Sequence, residues 1–150
     1  MKYKWLLIGF FLFTGLISCK KDNNPASGGI TIVGKWFVTK QVSALYDDSG
    51  AQIATFTKTN FTNVDFVEFY SDGSGYMSKT NQAGPSLTEF SYTISGTKLV
   101  QYTSSEPTGT PETITNLTAE NMSIHVVLRI SDPNDPSVTD TEIDDFTYVK

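Results

Sequence analysis

Met122-Ser123-Ile124-His125-Val126-Val127-Leu128-Arg129-Ile130 is the stretch that decides the fold class. Met122, Ile124, Val126 and Leu128 fall on alternate positions, with Ser123, His125 and Arg129 among the residues between them. A strand turns successive side chains to opposite faces, so this pattern sets an apolar row against a polar one. Outward from it in both directions, no helical pattern announces itself after the N-terminal segment. Apolar residues recur at period two, and Thr, Ser, Val, Ile, Phe and Tyr dominate, as strands require. Clusters of Gly, Asn, Asp and Pro break the chain at intervals of roughly 8–12 residues, the spacing of an all-β sandwich or barrel.

Nine strands are predicted: 31–46, 51–57, 64–70, 76–80, 87–94, 98–102, 112–117, 122–130 and 145–149. Asp47-Asp48-Ser49-Gly50 and Ser71-Asp72-Gly73-Ser74-Gly75 carry turn chemistry, because Asp-Gly supplies positive φ at little steric cost. Ser95-Gly96-Thr97 joins two further strands. Short consecutive connections make sequence neighbours antiparallel. The expectation is an all-β, up-and-down antiparallel barrel of about eight strands, with a β-sandwich as the alternative that periodicity alone leaves open. A barrel of that size is filled by side chains or holds one small ligand.

The N-terminus reads differently. Lys2 and Lys4 precede a mostly apolar run from Trp5 to Ile17. That run is shorter than the roughly 20 residues a membrane-spanning helix needs, so residues 1–18 read as an export signal. Leu16-Ile17-Ser18-Cys19 resembles the lipobox of bacterial lipoproteins, in which cleavage precedes a cysteine that then receives lipid. Cys19 is the single cysteine of the chain, so no disulfide competes for it. Several acyl chains on one residue exceed what stable membrane anchoring requires. Residues 19–29, polar and rich in Pro, Gly and Ser, read as the lipidated flexible tether. Lys20 is not the aspartate that retains lipoproteins in the inner membrane of enteric bacteria, so the resemblance implies the outer membrane of a Gram-negative cell.

Removal of the signal leaves 132 residues, room for one domain, here 30–150. Lys2 and Lys4 leave with it, and the formal charge of −5 becomes −7. An acidic chain lacks the clustered Lys and Arg that nucleic acid requires. Aromatic residues make up 13% of the chain and can supply core packing in place of disulfides.

Ile32-Val33-Gly34-Lys35-Trp36 resembles the Gly-x-Trp signature that opens the first strand of lipocalins. In that family the tryptophan closes one end of the barrel and a late arginine packs across it. Here the resemblance implies closure by Gly34, Trp36 and Arg129, the only arginine. A guanidinium over an indole gains roughly 0.5–2 kcal/mol. Phe69-x-x-Asp72-Gly73, Tyr92-x-Ile94-x-Gly96-x-Lys98-Leu99 and Ile114-Thr115-Asn116-Leu117 are similar to patterns in small bacterial lipocalin-like lipoproteins. The Thr-Asp-Tyr motif of the larger animal lipocalins is missing, since Thr139-Asp140 is followed by Thr141. Their ligand range is therefore not carried over.

Chemical constellations are scarce. His125 is the only histidine and falls on the strand face opposite the apolar row, a surface position. One histidine and a lipidated cysteine do not make a zinc site. Glu68, Glu89 and Glu142 read as solvent-facing strand residues. Asp132-Pro133-Asn134-Asp135 and Asp140 to Asp145 read as an acidic loop region without the central glycine of a calcium loop. No catalytic residue, metal or cofactor is expected. What remains is the alternating set Val67, Phe69, Tyr92, Ile94, Met122, Ile124, Val126, Phe146 and Tyr148, beside Trp36. It either fills the core or in part lines a pocket at the barrel's open end. The expected protein is a monomeric, membrane-anchored, non-enzymatic binder of a small apolar or amphipathic ligand. The alternative is an envelope interaction module with a filled barrel, working through its acidic surface and loops.

Overall fold

The computed structural model describes residues 31–131 and 139–150; the segments expected to be an export signal and a tether, with Cys19, lie outside the described residues, as do Asp132, Pro133, Asn134, Asp135 and Pro136. Nine strands follow one another: β1 (Gly34–Tyr46), β2 (Gln52–Lys58), β3 (Phe66–Phe69), β4 (Ser74–Asn81), β5 (Gly84–Ser95), β6 (Lys98–Tyr102), β7 (Thr110–Leu117), β8 (Asn121–Ser131) and β9 (Thr139–Val149). All pairings are antiparallel. The expected strands recur with shifted ends. The largest shift is at β9, which begins at Thr139, so Asp140 to Asp145 belong to a strand and not to an acidic loop. The polar residues there hid a strand whose outer face is wet.

Eight strands close in the order β1-β3-β4-β5-β6-β7-β8-β9, and β9 pairs back onto β1. The sheet is therefore a closed up-and-down barrel, compatible with a lipocalin-like fold, and the sandwich alternative falls. Closure works because β1 is long enough to serve three partners. Gly34 to Phe37 pairs with β3, while Phe37 to Tyr46 pairs with β9. Beyond the barrel rim, Gln41 to Tyr46 takes β2 in place of β3. This extra strand makes a flap with the ends of β1, β8 and β9, on which Ile53, Phe56, Val127 and Ile130 remain exposed.

The core sits inside the barrel. Ile32, Trp36, Phe69, Leu99, Met122 and Ile124 are its fully buried large side chains. The alternation of Met122, Ile124 and Val126 is the inward row predicted for that strand, and all three are buried.

Candidate functional site

One end of the barrel is plugged. The Trp36 indole is wholly buried and its Nε1–H donates to the Ile32 carbonyl at 2.6 Å. That bond satisfies the one polar atom of the ring, as burial requires. The cation over the indole is Lys150, with Nζ 4.8 Å from the ring, and the same ammonium donates to the Val33 carbonyl at 3.3 Å. Arg129 does not take this role. It pairs with Thr141 at the flap end of β8, seven residues along the strand from Met122, which at about 3.3 Å per residue is roughly 23 Å away. Strand direction explains the correction: β8 begins beside the plug and carries Arg129 away from it, whereas β9 ends there.

Gly34 joins the closure through its lack of a side chain. Its φ is +129°, and a Cβ would lie 2.8 Å from the Lys150 Cε. The backbone conformation is what favours glycine here, since the end of the flexible Lys150 side chain could move aside. Above the indole end, Phe69 meets Phe90 and Tyr92 edge-on at centroid distances of 5.5 and 5.0 Å. Phe69, Tyr92, Ile94 and Met122, expected as pocket lining, fill this end instead.

The other half of the barrel is hollow. A cavity of about 230 Å³ is bounded by Val67, Ile124, Val126, Phe146 and Tyr148 from the predicted lining, with Val38, Phe61, Phe66 and Met77 adding apolar wall. Lys58, Lys79 and Thr80 mark its mouth. Its polar residues were missed by the sequence reading. Gln41, Asp65, Ser78, Gln101, Glu112 and Asp144 also line it.

Gln101, Glu112 and Asp144 arrive there through strand phase. On β6 the inward row is Leu99 and Gln101, on β7 Glu112 and Ile114, and on β9 Asp144, Phe146 and Tyr148. On β1 the register shifts between Val38 and Lys40. Simple alternation from Trp36 and Val38 would turn Lys40 inward, and the irregularity places Gln41 there instead. The available signal was a polar residue continuing an apolar phase, as in Leu99-x-Gln101 and Glu112-x-Ile114.

The polar groups divide into satisfied and unsatisfied. Asp144 is buried and accepts from the Ser43 hydroxyl and from Gln41 Nε2. Asp65 is buried too. Burial alone would raise its pKa, but hydrogen bonds from Thr62 and Thr80 outweigh it and hold the carboxyl below its ordinary value. This carboxylate ties the 59–65 loop to β4 at the cavity rim.

Glu112 is different. One carboxylate oxygen accepts from Gln101 Nε2 at 3.1 Å, and no other hydrogen bond reaches the Glu112 carboxylate among the described residues. Burial pushes its pKa up to about 7, against the lowering effects of Gln101 and the Lys79 charge. Gln101 is only 6% exposed and its Oε1 has no hydrogen-bond partner. Burial, helped by the Glu112 and Asp144 carboxyls, also raises the Tyr148 phenol above its ordinary range. Outside the barrel, His125 faces outward and pairs with Asp145 at 2.8 Å. Glu68 and Glu89 alternate with inward residues of β3 and β5, and Glu142 lies on the flap. The described residues contain no cluster of His, Cys, Asp and Glu suited to a metal ion.

Compared with family models, with curated proteins and with solved structures, the chain finds no match.

Proposed function

We propose that this chain is a lipocalin-like, lipid-anchored carrier or receptor, held by Cys19 to the outer membrane, whose barrel takes one small amphipathic molecule. The carrying observation is the division of the barrel interior: an aromatic plug at one end and a cavity with apolar walls and a few polar groups at the other. Mostly apolar pockets with sparse, placed polar groups are the usual form of small-molecule sites. At about 230 Å³ the cavity lies just under the usual 300–1,000 Å³ range, which favours a ligand smaller than a typical drug. The filled-barrel interaction module is the rival reading, and the cavity counts against it.

Titration of a chain beginning at Lys20 with a fluorescent hydrophobic probe tests the binding reading. A saturable, one-to-one signal that disappears in Ile124→Phe is expected. A cooperatively melting protein with no saturable signal would defeat it. Anchoring is tested separately: labelled palmitate should enter the chain in cells and fail to enter Cys19→Ser.

A further inference from the structure

Three carboxyl groups, those of Asp65, Glu112 and Asp144, line the cavity, against two ammonium groups, Lys58 and Lys79, at its mouth. The Glu112 carboxylate accepts a single hydrogen bond, from Gln101, and the described residues give it no ion pair. Gln101, on the inward row of β6, donates its amide to that carboxylate and leaves Oε1 buried without a donor. A buried acceptor left unpaired is costly, and a half-buried carboxylate without an ion-pair partner adds to that cost. Both belong to one hydrogen-bonded pair on neighbouring strands, and both line the same cavity.

The amide and ammonium donors that line the cavity are engaged elsewhere or lie at its mouth. Gln41 Nε2 is directed to Ser43 and Asp144. Lys58 lies over the Phe61 ring, 4.4 Å from its centroid. Lys79 is exposed at the mouth and acts on Glu112 through its charge without an ion-pair contact. The terminal torsion of a glutamine is broad and soft, so a small rotation can direct Gln101 Oε1 to a guest. Around this pair the walls are Val67, Met77, Val126 and Phe146.

We propose that the cavity is selective for a small organic cation, a protonated amine on an apolar body, whose N–H groups bind Glu112 and Gln101. This deepens the ligand-binding reading above and rests on it. Ammonium supplies several donors and a positive charge at once, so one group answers both the unpaired oxygen and the uncompensated carboxylate. A carboxylate ligand would face Glu112, Asp144 and Asp65 and should be rejected.

Three molecules of one shape separate the claims: cyclohexylmethylamine, cyclohexylmethanol and cyclohexanecarboxylate, titrated into the full chain in a neutral detergent at pH 8 and followed by amide chemical shifts. The amine should bind at least tenfold tighter than the alcohol, and the carboxylate should not bind. In Glu112→Gln the amine's advantage over the alcohol should shrink to within about threefold. Gln101→Leu provides a second variant, with loss of amine affinity expected. An alcohol that binds as tightly as the amine, or a carboxylate that binds best, would overturn the cation assignment and leave the cavity as a binding site. If none of the three shifts any cavity residue, the binding reading falls with it.

Discussion

The two ends of this barrel are built from the same alternating strands and differ only in what the inward row carries. At the indole end the row is Trp36, Phe69, Phe90 and Leu99, all buried, with glycine where space runs out. A Cβ on Gly75 would lie 2.4 Å from both the Glu68 carbonyl oxygen and the Phe90 ring. At the far end the row continues as Gln101, Glu112 and Asp144, and the strands enclose a void. Close packing stabilises a fold; a void with unpaired acceptors costs stability. The barrel therefore separates the part that holds it together from the part available for binding.

The sharpest way to break this contrast is Trp36→Ala. Truncating a fully buried tryptophan costs about 3–5 kcal/mol, through lost transfer energy and the cavity left behind. Denaturant unfolding should show a loss of that size, against a marginal stability typical of single domains. A cost under about 1 kcal/mol would mean the plug does not carry the fold.

Glu112→Gln should move stability in the opposite direction. The folded carboxyl sits at about 7 against an ordinary 4.5, so the native state binds more protons than the unfolded one between those values. Stability then falls as pH rises from about 4.5 through 7 and stays level above. The displacement corresponds to up to about 3 kcal/mol at pH 8, which the neutral amide should restore. Melting temperature against pH should slope downward in the parent and flatten in the variant. Asp65 acts in a separate window, because its lowered pKa makes its contribution disappear only in acid, below its ordinary 3.8.

Enlarging one residue at each end sharpens the comparison further. Leu99→Phe adds volume to a fully buried position away from the cavity and should cost about 1–3 kcal/mol, as overpacking does. Ile124→Phe grows toward the void and should cost less than about 1 kcal/mol while abolishing probe binding. Equal costs at both positions would argue that the hollow collapses in solution.

The barrel was legible in the sequence because period two survives on β8, and the turn glycines punctuate it. Trp36 was legible through Gly34-x-Trp36. The polar half of the cavity was not. Glu112 and Gln101 look like ordinary strand-surface residues, and Asp144 like part of an acidic loop, until the phase of Leu99, Ile114 and Phe146 is extended through them. The crossing of β1 from partner to partner also disturbs simple alternation, since the irregularity at Thr39 decides whether Lys40 or Gln41 turns inward. Strand phase is local information; which strand's end lies beside which side chain is not.

Lys150, carried to the plug by the end of β9, gives the smallest expected effect. Family resemblance directed attention to the only guanidinium, yet chain direction puts the end of β9 over the indole. Lys150 is largely exposed, so its cation–π contact and the bond to the Val33 carbonyl should together contribute about 0.5–1 kcal/mol. Lys150→Met keeps most of the apolar stem and removes the charge, and it should lower stability by that amount while changing the near-ultraviolet signal of the indole. Arg129→Met, roughly 23 Å from the plug by strand rise, should leave that signal alone. A reversed result would mean that the arginine reaches the indole after all, and that β8 and β9 meet β1 in another register.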